Sequence, residues 1–391
     1  MTSTTSDIAG LVKQLQGLKA SDVQDEETRK SLFEAARDVT FTLESPGDSI
    51  QRIAYIVRAQ GKTYCPDLKL FEILSQKEHS ASSTQQLAET TKADEVLLGR
   101  ILRYLASVGM IEEVGEDEWA ATNITKTLSV PGLKAGIYHN HDNILPCWQV
   151  LPEFLAETKY QNPSDGAHSP FQKGHRTDQM PFDWALAVPS RFDNFLQWMM
   201  ANREGQKMFL DVYPFEKELC HGLKPEIPLF VDVGGGIGHQ CLALKQRIPH
   251  APGRVINQDL PPAIAQAIPC EGVEHTIHDF MAEQPIKGAR AYYLRNIMHD
   301  WPDDKCIIIL QRIIEVMDKD SVILIDDMVL PNQGAHWRAT QLDLAMMAGL
   351  AAMERTEKQW YSMLDAAGLK VEKIYTYTPE LRDSIIVAVP K

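Results

Sequence analysis

The sequence predicts an α/β protein: a doubly wound, seven-stranded Rossmann-like domain in the C-terminal part, preceded by an all-helical region that closes in a winged helix. Three observations carry this reading. From Pro228 onward, short runs rich in β-branched and aromatic residues alternate with helix-length segments, the pattern of a parallel sheet. The first run ends in Asp232-Val-Gly234-Gly235-Gly236-Ile-Gly238, a glycine-rich turn from strand to helix. Upstream, between residues 82 and 123, two helical segments lead into a small hairpin.

The chain has 391 residues, 44 % hydrophobic and 24 % charged, which fits one large or two to three ordinary globular domains. A net charge of −14 removes the electrostatic case for nucleic acid or an anionic membrane as partner. Met1-Thr-Ser-Thr-Thr-Ser lacks the basic start and apolar run of a signal peptide. No stretch approaches the roughly 18 apolar residues of a membrane span, so the expected location is cytoplasmic. Six scattered cysteines without a Cys-x-x-Cys pair read as reduced small hydrophobes. They offer neither a zinc site nor a disulfide framework, and no metal is expected.

Residues 1–125 form the first expected domain, helical, with turns around Ser45-Pro46-Gly47 and Pro66. Val96, Leu97, Ile101, Leu105 and Val108 fall near one helical stripe, and Gly109 stands where a helix C-cap belongs. The segment 82–123 holds three basic residues against eight acidic ones. Such a surface repels DNA, so the winged helix is read as a packing and dimerisation element rather than as part of a regulator. Residues 126–225 are helical and crowded with aromatics, His and Met, including His139, His141, Phe192, Phe195 and Met200. They fill a core or line an apolar pocket.

Residues 226–391 make the third domain, with strands read at 229–233, 254–257, 273–277, 291–295 and 321–326 and a terminal antiparallel pair at 371–375 and 384–389. The glycine loop fits G-x-G-x-G. A dinucleotide fingerprint would place its third glycine where His239 stands, and the observed spacing is typical of S-adenosylmethionine sites. Asp259, just past the second strand, suits two ribose hydroxyls, and Asp279-Phe280 after the third suits an adenine amino group and ring face. The fourth strand runs into a polar stretch holding His299, a poor place for a core histidine, before a helix opened by Pro302 and two acids.

With His299-Asp300-Trp301-Pro302-Asp303-Asp304, the DVGGGIG loop, Gln258-Asp259-Leu260-Pro261 and Glu354-Arg355-Thr356 in place, the chain resembles the caffeate/flavonoid-type small-molecule O-methyltransferases, in particular their fungal secondary-metabolism branch. The resemblance covers most of the chain and implies a seven-stranded methyltransferase domain, an N-terminal dimerisation domain and a homodimer. It implies an S-adenosylmethionine-dependent enzyme acting on the hydroxyl of a small aromatic, polyketide or pyridone metabolite. His299 then corresponds to the general base, and Asp327 and Glu354 to the acids that orient it; Asp327 stands where plant members carry glutamate. Cofactor roles fall to Gly234, Gly235, Gly236, Asp259, Asp279, Phe280 and Arg295, the last where plant members have lysine. Phe192, Met200, Trp301, Met346 and Met347 become pocket walls, joined by His141. The same branch includes pericyclases and dehydratases that keep the cofactor without transferring its methyl group. In that alternative Arg295 and His139 or His141 serve as hydrogen-bond donors to a substrate carbonyl.

Overall fold

The computed structural model describes residues 4–46, 68–77, 80–201 and 207–391, in two compact units, Met1–Tyr64 and Cys65–Lys391. The turns expected at Gly47 and Pro66 lie outside the described residues.

In the first unit, helices span Thr4–Gly17 and Glu26–Leu43. Asp25 caps the second, its carboxylate accepting the Thr28 N–H at 2.7 Å. Ile8, Leu11, Val12 and Leu15 recur at helical spacing and are all exposed in the single chain.

In the second unit the expected winged helix follows a helix at Leu70–Gln76. β1 (Ser82–Ser83), β2 (Ile111–Gly115) and β3 (Glu118–Ala121) form a small antiparallel sheet in the order β1-β3-β2, beside helices Thr84–Thr91 and Glu95–Ser107. Gly109 sits past the helix end at φ +73°, the left-handed conformation that glycine adopts without strain. The buried stripe, however, is Leu98, Ile101, Leu102 and Leu105, whereas Val96 and Leu97 are exposed. The i, i+3, i+4, i+7 series that starts at 98 packs inward under Trp119, whose indole donates to the Thr84 hydroxyl at 2.8 Å.

The seven-stranded sheet has the order β6-β5-β4-β7-β8-β10-β9. Its strands are β4 (Pro228–Val233), β5 (Arg254–Asp259), β6 (Val273–Ile277), β7 (Ala291–Arg295), β8 (Val322–Met328), β9 (Leu369–Thr376) and β10 (Asp383–Pro390). β4 to β8 run parallel, and β10 pairs antiparallel with both β8 and β9. Every strand read from the sequence is present to within about two residues at its ends.

Alternation along β7 and β8 separates two cores. Tyr292, Leu294, Ile323 and Ile325 face helices Asp303–Ile314 and Glu357–Ala366, while Ala291, Tyr293 and Leu324 face a cluster around Phe209 and Phe215. The same alternation sends Asp326 and Asp327 to opposite faces. The parallel strands end on one edge, where the loops bearing Gly234, Asp259, Asp279, Arg295 and His299 gather. Among the described residues no helix is long and apolar enough to cross a membrane.

Candidate active site

The glycine loop is shaped by its own backbone. Gly234, Gly236 and Gly238 have φ of +73°, +59° and +93°, which side chains of L-residues rarely tolerate. Gly234 and Gly235 donate their N–H groups to the Gln258 carbonyl at 2.9 and 3.0 Å. A Cβ on Gly235 would lie 2.2 Å from Asn257 Oδ1 and 2.4 Å from Asp232 Cγ, so only glycine fits against these buried groups. Asp259 accepts the Gly236 N–H through Oδ2 and the Leu260 N–H through Oδ1, each at 2.7 Å. Each oxygen keeps a lone pair for a ribose hydroxyl. Burial raises the Asp259 pKa against those two backbone bonds. Asp279 is exposed and accepts the Met281 N–H at 2.9 Å, while Phe280 meets Trp301 edge to face at 6.0 Å. Open space beside Gly236 and the Asp259 carboxylate next to it fit S-adenosylmethionine.

His299 lies on a single 3-10 turn, Met298–Asp300, that follows β7 and is anchored by fully buried Met298. Its Nδ1–H donates to Glu354 Oε1 at 2.7 Å, and its Nε2 lies 3.4 Å from Asp300 Oδ1. A carboxylate only accepts, so the bond to Glu354 fixes a proton on Nδ1 and leaves Nε2 on the side of Asp300. Burial by itself lowers the His299 pKa, but the carboxylates of Glu354, Asp300 and Asp327 outweigh it and carry the imidazole up to about 10. Burial pushes Asp300 up to about 6 and Asp327 up to about 8.

The structure brings His299 and Glu354 into contact across 55 residues of chain. Asp327 behaves differently from the expected orienting acid. It is buried nearby, but neither of its oxygens has a hydrogen-bond partner among the described residues. A side chain one methylene shorter than glutamate reaches the imidazole only through its field. Asp300 completes the cluster; it lay inside the quoted motif, yet its position against Nε2 depends on the 3-10 turn.

Arg295 is placed by an arrangement that sequence reading missed. Its Nε is 3.7 Å from Asp326 Oδ2, and Asp326 in turn accepts from the Tyr293 hydroxyl and, at 2.7 Å, from the Tyr377 hydroxyl. Arg295 therefore leaves the sheet on the face of Tyr293, opposite the face of Asp327.

Met346 and Met347 ride on helix Trp337–Leu350, which packs against the His299 turn and against the π-helical segment Asn140–Ile144. His141 in that segment pairs with Asp142 at 2.8 Å. The Asn143 amide donates to His139 Nδ1 at 2.9 Å, and burial lowers the His139 pKa to about 4, so this ring is neutral. Phe192 and Met200 sit on helix Pro189–Ala201, which packs against helix Pro131–His139. Phe192 is half-buried beside Phe195, whereas Met200 is 53 % exposed.

Comparison with known proteins identifies the family. A family model described as an O-methyltransferase domain matches residues 220–370, and one described as an O-methyltransferase dimerisation domain matches residues 63–131. The O-methyltransferase lepI of Aspergillus flavus is 40 % identical over 380 residues, covering 96 % of each chain. The 16-O-methyltransferase bsc6 of Alternaria brassicicola is 42 % identical over 327 residues, covering 83 % of this chain and 81 % of its own. A solved structure of LepI in complex with SAM superposes with a TM-score of 0.89 at 38 % identity, over 99 % of both chains. Another, described as a pericyclic reaction enzyme, gives 0.90 at 38 % identity over 99 % of this chain and 100 % of the other. The chain belongs to the O-methyltransferase family, as an enzyme with a dimerisation domain and with S-adenosylmethionine as its cofactor.

Proposed function

We propose that the protein methylates a hydroxyl of a small aromatic or polyketide-type metabolite, with His299 as the general base. The His299–Glu354 hydrogen bond at 2.7 Å carries this reading. Bound S-adenosylmethionine supplies an electrophilic methyl group on a sulfonium. Displacement at that carbon needs an oxygen nucleophile held in line and relieved of its proton as the new bond forms. With Nδ1–H committed to Glu354, Nε2 takes the acceptor proton, and Glu354 stabilises the resulting imidazolium. Met346, Met347 and Trp301 give the pocket adaptable apolar walls suited to a flat acceptor.

A second reading, pericyclic or dehydrating chemistry without methyl transfer, is favoured by one observation: Glu354 at 2.7 Å from Nδ1 and Asp300 at 3.4 Å from Nε2 face both ring nitrogens of His299 and favour its protonated form, a donor rather than a base. The likeness to a structure described as a pericyclic reaction enzyme supports it too. Neutral His139, its Nδ1 occupied by Asn143, has its Nε2–H available as a second donor. Incubation with methyl-labelled S-adenosylmethionine and a panel of phenolic, polyketide and pyridone acceptors separates the two. Label in the product with release of S-adenosylhomocysteine is the expected result; substrate converted at constant mass, or with loss of water alone, would replace it with the second reading.

The protein is also expected to work as a homodimer. The dimerisation-domain match and the exposed stripe of Ile8, Leu11, Val12 and Leu15 support this. Light scattering should give twice the chain mass of 44.0 kDa, and a monomeric mass would dismiss it.

A further inference from the structure

We propose that Arg355 is the positioning residue of the acid–base centre, tying the His299 turn to the Glu354 segment and thereby setting the His299–Glu354 hydrogen bond. The proposal rests on His299 being that centre.

The Arg355 side chain is completely buried. Its three nitrogens spread over the turn that carries His299: Nη1 donates to the Met298 carbonyl at 2.7 Å, Nη2 to the Trp301 carbonyl at 2.8 Å and Nε to Asp303 Oδ1 at 2.8 Å. The two carbonyls bracket His299 in the chain. The next residue back from the guanidinium's own backbone is Glu354, so one side chain joins both partners of the 2.7 Å bond.

The Glu354–Arg355 backbone is itself fixed from two other directions. Its Glu354 N–H donates to Asp343 Oδ1 at 2.9 Å, and the Arg355 carbonyl accepts the Leu330 N–H at 3.0 Å. Asp343 belongs to the helix bearing Met346 and Met347, and Leu330 follows β8. With these anchors in place, Arg355 ties the His299 turn, itself seated by buried Met298, to the Glu354 segment.

Packing alone does not account for an arginine here. Burying a guanidinium against two neutral carbonyls and one carboxylate that is 54 % exposed costs more than burying an apolar side chain of similar size. The arginine fork offers divergent donors in one rigid plane, which a lysine ammonium does not. The position calls for geometry, not for charge or volume.

The test uses the full-length protein with S-adenosylmethionine bound, its histidines labelled at Cε1. His299 is assigned by the signal that disappears in His299→Gln and is titrated by NMR; kcat and the cofactor KM are measured alongside. In Arg355→Lys, loosening of the Glu354 bond should lower the His299 midpoint by about one pH unit or more and kcat by about 10- to 100-fold, with cofactor KM unchanged. Asp303→Asn, which removes only the charge of the exposed partner, should move both in the same direction by less. A purely structural arginine would reduce the folded fraction yet leave the His299 midpoint and kcat per folded site untouched. That result in Arg355→Lys, or in Asp303→Asn should the lysine variant fail to fold, would overturn the proposal. Because the titration needs no acceptor, a wild-type protein that proves not to transfer methyl groups would sink the methylation reading without touching this one.

Discussion

Replacing His299 by alanine should abolish methyl transfer while leaving cofactor affinity nearly unchanged. General-base catalysis contributes on the order of 10²- to 10⁴-fold, and here no second group stands ready to replace it. Asp300 and Glu354 flank the ring, but both act on the imidazole rather than in its place. Glutamine is the useful companion substitution, since alanine leaves a void among the acids Glu354, Asp300 and Asp327. The reciprocal variant is Asp259→Ala. It removes a carboxylate that braces Gly236 and Leu260 and is proposed to hold the ribose hydroxyls, and should weaken S-adenosylmethionine by about 1 to 3 kcal/mol. Isothermal titration with the cofactor and single-turnover kinetics separate the two effects. Near-normal methylation by His299→Ala would dismiss it as the base, and unaltered affinity in Asp259→Ala would dismiss that carboxylate as a cofactor ligand.

The parallel sheet was legible because buried strands announce themselves as continuous apolar runs between turn residues, and the glycine loop because positive φ leaves a compositional trace. His299 was legible by contrast, as a histidine in a polar run between a strand and a helix. Glu354 was not: nothing local marks a residue 55 positions away as its partner, and only the resemblance carried it. Arg355 was quoted within a motif but given no role, because its work is done on backbone carbonyls, which have no sequence signature. The Asp326–Tyr293–Tyr377 arrangement behind Arg295 joins residues of β7 and β8 to one just past β9 and is likewise tertiary. The misread stripe of the winged-helix segment has a simpler cause. Val96 and Leu97 open a helix with apolar side chains on its exposed face, and a count of apolar positions does not distinguish them from the core.

The pH dependence of the reaction should distinguish the two chemistries by sign. Glu354, Asp300 and Asp327 outweigh the effect of burial and push the His299 pKa, for loss of the imidazolium proton, up to about 10. A general base must first lose that proton, so the rate of methyl transfer at saturating substrates should rise about tenfold per pH unit above neutrality, levelling where His299 is neutral. The sulfonium of bound cofactor would carry the same sign as the imidazolium. It opposes the second positive charge, so the break in the profile should come below pH 10. With S-adenosylhomocysteine, which lacks that charge, the His299 titration should return towards the higher value. A reaction that uses the imidazolium as donor has the opposite profile, flat through neutrality and falling as the proton is lost. An acceptor phenol that ionises in the same range would also raise the rate with pH, and His299→Gln removes that ambiguity: its residual rate keeps the slope due to the acceptor and loses the slope due to the base. A wild-type profile that is flat from pH 7 to 9 and then declines would take His299 out of base catalysis and leave it as the proton donor of the pericyclic reading.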